Sequence, residues 1–244
     1  MAKPAKTDRQ AVIDQIRNKQ KGAEKRRGFA IVGVSVVIAL LIIGAAAWQP
    51  VKNWWELRQF ESLGLNEIGA AADVCADITT KKATGNAEHV PTGTPVPYEE
   101  SPPVFGPHWN EFGVAPAPLE RRLYTAEDRP ELEALVHNLE HGYTILWFDE
   151  TIAEDEEQMQ QLRGIVDKFS DNNNMRSKFK AVPWTSEDGD PFPDDQHVAL
   201  THWSGQQPED QKGVWQYCSE VSGEALEDFM TEYPYTDSPE PNAM

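Results

Sequence analysis

Cysteine is almost missing from this chain: Cys75 and Cys218 are the only two in 244 residues. Without a CxxC pair there is no basis for dithiol redox chemistry or a four-cysteine zinc knuckle. A count of two still permits one pairing, and in an oxidising compartment a disulfide is the expected state. Closing so long a loop would stabilise the fold by on the order of 4–5 kcal/mol if the geometry is unstrained. Two free thiols or two metal ligands are the alternatives. Basic residues are also scarce, with 22 Lys and Arg against 40 Asp and Glu, a net charge of −18. Such acidity repels phosphate and argues against nucleic acid as a partner. No G-x-S-x-G, P-loop or G-x-G-x-x-G sequence occurs, so the common hydrolase and nucleotide readings have no support. There are no internal repeats.

One long uncharged run is present. Residues 28–48, "GFAIVGVSVVIALLIIGAAAW", match the roughly 20 apolar residues a helix needs to cross a bilayer core. A buried core helix would keep a polar stripe, and this run has none. Its "GAAAW" end resembles a signal cleavage site. The preceding 27 residues are nevertheless long for an n-region, and the run is long for an h-region, so a retained anchor is expected. Trp48, Trp54 and Trp55 read as interfacial anchors beyond it. Residues 1–27 hold nine Lys and Arg against three acidic residues, leaving 13 basic and 37 acidic residues for the rest. Positive flanks stay cytoplasmic. The expectation is a single-pass protein of the cell membrane, with the lipid bilayer as a partner. Its basic arm (1–27) would be cytoplasmic and its acidic C-terminal domain extracytoplasmic.

Beyond the anchor, residues 49–84 read as a membrane-proximal connector, helical to about residue 70. Residues 81–118 are rich in Pro, Gly and Thr, which disfavours helix and predicts an extended, turn-filled segment. Its aromatics (Tyr98, Phe105, Trp109, Phe112) predict that it is packed. A helix is expected over 129–141, capped by Asp128 and stopped by Gly142. "YTILWF", apolar on both faces, predicts a central strand. Leu162, Ile165, Val166 and Phe169 recur on one helical face. "KFKAVPW", "HVALTHW" and "GVWQYC" predict strands, and Ser222 should cap a last helix over 222–233. The fold class is therefore α+β, a small central sheet flanked by helices over 85–235. Residues 236–244 are expected to be a loose tail.

All six histidines lie in this outer part. On a helix, His137 and His141 share a face and can bind one metal ion. His108, stiffened by Gly106 and Pro107, is the best third ligand, and His89 a fourth ligand or supporting partner. Imidazole sites suit zinc and copper, with Cu(II) the tighter binder; a thioether from Met159 or Met175 would favour copper. The plain alternative is a polar corner in which a buried His bonds to Glu140 or a backbone carbonyl. "HNLEH" also fits the H-x-x-E-H zinc-protease pattern, but Gly142 and a strand cut the helix where those sites continue it. The loop "DGDPFPDD" lacks the order of a calcium loop.

"HVPTGTPVPYEESPPVFGPHW" followed by "VHNLEHGYTILWF" resembles the domain-of-unknown-function family three-one-zero-five, mostly single-pass membrane proteins of actinobacteria and some other bacteria. The matching residues are His89, Tyr98, Pro102, Pro103, Gly106, Pro107, His108 and the block His137, Asn138, Leu139, Glu140, His141, Gly142. The resemblance covers roughly 85–235. Phe105 stands where the family usually has serine, and His202 where a small residue is commoner. The resemblance carries no established activity. It implies that His89, His108, His137 and His141 belong to the family pattern, whereas His197 and His202 are incidental.

Two functions are expected to compete. One is a membrane-anchored extracytoplasmic domain that binds copper or zinc through His89, His108, His137 and His141. The other is a non-catalytic accessory subunit of a larger membrane complex, its histidines structural. An enzyme comes third, because no nucleophile is paired with a base, and Glu140 would act as general base only beside a metal.

Overall fold

The computed structural model describes residues 8–84, 87–170, 177–193 and 195–243. They fall into two compact units, one ending at Glu56 and the other beginning at Leu57. The first is a single helix, α1 (Asp8–Leu57). Its stretch Val12–Trp48 is long and apolar enough to cross a membrane and contains the expected segment 28–48. Leu40, Leu41, Ile42 and Ile43 are exposed along it, as are Trp48, Trp54 and Trp55.

The second unit contains, in chain order, β1 (Thr79–Lys82), β2 (His89–Val90), β3 (His108–Trp109), α2 (Leu132–Glu140), β4 (Thr144–Phe148), α3 (Glu150–Glu154), α4 (Glu156–Ser170), β5 (Phe179–Pro183), β6 (Val198–Ser204), β7 (Lys212–Cys218) and α5 (Gly223–Glu232). Five strands form one sheet in the order β1-β7-β6-β4-β5. β4 and β5 run parallel, and the other neighbours are antiparallel. The α+β expectation holds, and β4 lies inside the sheet with every residue buried.

Strand residues alternate between two cores, as a period of two requires. Leu146, Phe148, Phe179, Ala181, Val198 and Leu200 face a core shared with Leu162 and Ile165 of α4 and Leu226 and Phe229 of α5. Ile145, Trp147, Val182, Ala199 and Trp203 face the opposite core, shared with Leu135, Val136 and Leu139 of α2 and with Val104, Phe105 and Tyr124 of the long loop. Helix α2 is therefore covered on both sides, and residues 133–140 are all buried. The Pro-rich loop is packed, as its aromatics predict. Tyr98 Oη donates to Pro107 O (2.7 Å), Trp109 Nε1 to Thr94 O (2.7 Å) and Trp215 Nε1 to Pro102 O (2.9 Å). Phe112, however, is fully exposed.

Three expectations need correction. The connector does not extend to residue 84. Helix α1 stops at Leu57, Phe60 and Ile68 are buried, β1 joins the sheet, and Cys75 is disulfide-bonded to Cys218. Burial and the cross-link place this stretch in the domain although "TTKK" shows no apolar pattern. The tail is not loose. Ser238 is buried, Glu240 N donates to Glu140 O (2.9 Å), and Lys178 Nζ donates to Pro241 O (3.0 Å) and Ala243 O (2.8 Å). A buried ammonium needs carbonyl partners, and the tail supplies two. Finally, Asp128 does not cap α2. Its carboxylate accepts from Thr125 N (2.8 Å) and pairs with Arg121, and the helix starts after Glu131 without a side-chain cap. Ser222 does cap α5, accepting from Ala225 N at 3.1 Å.

Candidate metal centre

Three local features gather the histidines. First, β2 and β3 pair in parallel with His89 opposite His108, so two residues 19 apart in sequence share one strand register. Second, Gly106 adopts φ +125°, a conformation side chains resist, and its carbonyl accepts from His108 Nδ1 at 2.9 Å. Third, α2 places His137, Glu140 and His141 on one face at i, i+3 and i+4. Asn138 fixes the loop against α2: its amide oxygen accepts from Ala117 N (3.0 Å) and its amide nitrogen donates to Ala117 O (2.9 Å). Gly142 (φ +88°) then turns the chain into β4, and a Cβ there would lie 2.4 Å from Tyr235 O.

The rings form a continuous cluster. Centroids are 4.9 Å apart for His89–His108, 4.8 Å for His108–His137, 5.2 Å for His89–His137 and 4.4 Å for His137–His141. His108, His137, Glu140 and His141 are buried; only His89 is substantially exposed, with 41 % of its side chain open to solvent. The cluster thus has one solvent-facing side, at His89. Donor atoms from His89, His108, His137 and Glu140 all lie within 4.8 Å of one another. Glu140 Oε2 stands 3.0 Å from His108 Nε2 and 3.6 Å from His89 Nε2. Tetrahedral ligands at about 2.0–2.1 Å from zinc would be roughly 3.3 Å apart, and those two contacts bracket that spacing.

Proton positions follow from the partners. A carbonyl only accepts, so His108 Nδ1 and His137 Nδ1 both carry hydrogen, donating to Gly106 O (2.9 Å) and Trp109 O (2.6 Å). In the neutral rings each Nε2 then presents a lone pair. His108 aims it at a carboxylate, and His137 aims it at His141 Nε2, 3.0 Å away. A lone pair against a carboxylate is unfavourable unless a cation or a proton lies between them. Burial, with the neighbouring His141 and His108 charges, lowers the His137 pKa to about 3; burial also dominates at His141, lowered to about 4. Both rings are therefore neutral at neutral pH, the form that ligates metal. Burial alone would raise the Glu140 carboxyl, but with a proton between the two groups the bond from His108 and the adjacent imidazoles hold it below its usual value. Backbone carbonyls behind the outer nitrogens are also the usual way a metal-ligating imidazole is oriented. The residues fit a divalent metal ion.

His141 touches His137 but belongs to a second group, with Glu140 and Glu240. His197 is elsewhere, its Nδ1 2.8 Å from Asp149 Oδ2, and His202 is buried with Nδ1 on Tyr143 O at 3.2 Å. Met159 packs against the core under α4, and Met175 lies outside the described residues. In the acidic loop, Asp188 pairs with Arg129 (2.5 Å) and caps a turn at Thr185. Sequence reasoning treated Glu140 as a polar partner or dependent base and overlooked Glu240. For Glu140 a signal existed, since the residue three after a helical ligand shares its face. For Glu240 there was none.

Fold and cluster together define an α+β domain with a buried histidine–carboxylate centre between a helix and a proline-rich loop. A family model described as "Protein of unknown function (DUF3105)" matches residues 89–244, more than half of the chain, and the protein belongs to that family. No curated protein and no solved structure matches it.

Proposed function

We propose that this protein is a membrane-anchored domain that binds a divalent transition metal through His89, His108, His137 and Glu140, with His141 alongside. The supporting observation is the pair of carbonyl-fixed tautomers, which direct the Nε2 lone pairs of His108 and His137 into a space shared with a carboxylate. Three imidazoles and a carboxylate oxygen are a zinc-type donor set. Copper is the other candidate, in its divalent form, since no thioether that would favour copper(I) joins the cluster among the described residues. α1 would serve as the anchor, and the basic arm would keep its start in the cytoplasm, placing the centre outside. His89, on the solvent-facing side, would make exchange of the ion with a donor or acceptor possible, so transfer or storage is favoured over a sealed structural site.

Metal content of the purified full-length protein tests this. Stoichiometric zinc or copper, lost in a His108→Ala/His137→Ala variant of unchanged circular dichroism, is expected. Wild type and variant with equally little metal after loading would refute it. A second reading, an accessory subunit, draws on the exposed Trp48, Trp54, Trp55 and Phe112. Purification in mild detergent with a fixed-ratio partner, and no metal, would favour it.

A further inference from the structure

We infer that the centre holds two metal ions, with Glu140 as the bridging carboxylate and the C-terminal segment supplying part of the second site. This rests on the metal-binding reading above and extends it. The observation is a second group of donor atoms, from Glu140, His141 and Glu240, also within 4.8 Å of one another. It shares only Glu140 with the first. Glu140 Oε2 takes the contacts of His108 and His89, and a carboxylate has a second oxygen to offer another ion.

His141 is 5 % exposed. Its Nε2 faces Glu240 Oε2 at 3.6 Å, and its Nδ1 is buried without a hydrogen-bond partner among the described residues. Without an ion, His141 Nε2–H donates to the His137 Nε2 lone pair at 3.0 Å, leaving Nδ1 as the unpartnered nitrogen. With an ion on each Nε2 the His141 proton sits on Nδ1 and both lone pairs are used, and ions in two-metal sites lie only about 3.5–4 Å apart.

Glu240 is held in place by its surroundings. Its own N–H donates to Glu140 O (2.9 Å), and Lys178 Nζ binds Pro241 O and Ala243 O just beyond it. The same ammonium donates to His141 O at 2.6 Å, so one buried lysine ties the end of α2 to the tail on which Glu240 sits. Two carboxylate oxygens and one imidazole make this second position harder than the first, suited to zinc or another divalent ion of similar size.

The test is zinc stoichiometry of the full-length protein, loaded with excess zinc, desalted and assayed by elemental analysis. Two zinc per chain are expected in wild type and one in Glu240→Gln, an exposed position whose change leaves the fold intact. One per chain in wild type overturns the second site while leaving the first reading standing. None overturns both. Two in both proteins overturns the role of the tail. Copper(II) loading gives an independent readout: a bridged pair is spin-coupled and loses resonance intensity, and Glu240→Gln should restore a full mononuclear signal.

Discussion

The two faces of the central sheet are built on opposite terms. Under α4 and α5 the sheet buries an apolar core, with Cys75–Cys218 bonded at its edge, and His202 beside Tyr233 is its principal polar intrusion. Under α2 it buries apolar side chains but also His108, His137, Glu140, His141, Lys178 and Lys180. Every one of those costs free energy to bury and needs a partner. The first face explains why the domain folds. The second carries the donor groups on which the proposed metal site rests.

That contrast can be broken by mutation. Changing a ligand on the α2 face, His108→Ala or His137→Ala, should weaken zinc binding by more than about 100-fold, since removing even an outer-shell partner typically costs 10–100-fold. Competitive titration against a chromophoric chelator would measure it. Leu146→Ala on the other face should cost about 2–5 kcal/mol of stability and leave zinc affinity within a factor of about three. Equal losses of affinity would erase the distinction between the faces. Cys75→Ser should also destabilise, by about 2–5 kcal/mol in chemical denaturation, with zinc binding unchanged.

Acidity sharpens the comparison. His137 and His141 are held neutral in the fold by burial, with pKa values lowered to about 3 and 4, and His202 likewise to about 4. Unfolding restores ordinary values near 6.5. The unfolded chain therefore binds more protons than the fold between about pH 6.5 and 4, and stability falls as pH drops through that window. The metal-free protein, melted at pH 7, 6 and 5, should lose thermal stability progressively. A His137→Gln/His141→Gln variant should keep only the smaller part owed to His202. At the turn between α2 and β4, Gly142→Ala should cost about 1–3 kcal/mol for its positive φ alone, and more because the new Cβ would meet Tyr235 O.

Much of the first face was legible in the sequence because its signals are local. The repeated apolar residues of α4 and the Ser222 cap depend on residues within a turn of one another. The second face was legible only as a set of histidines. Their assembly depends on a two-residue parallel pairing too short to leave a pattern, and on a tail fixed by a lysine 60-odd residues upstream. Lys178 and Lys180 in "KFKAVP" carry no local sign of their surroundings: both are buried, bonded to carbonyls and lowered by burial to about 8 and about 7. β1, exposed along its length, had no apolar alternation to announce it.

The most direct test of the metal-binding account is X-ray absorption at the zinc edge on the zinc-loaded full-length protein. The account predicts a shell of nitrogen and oxygen at about 2.0–2.1 Å, with outer scattering from three or more imidazoles that diminishes in His137→Ala. A shell without imidazole scattering, or a spectrum identical in that variant, would contradict it.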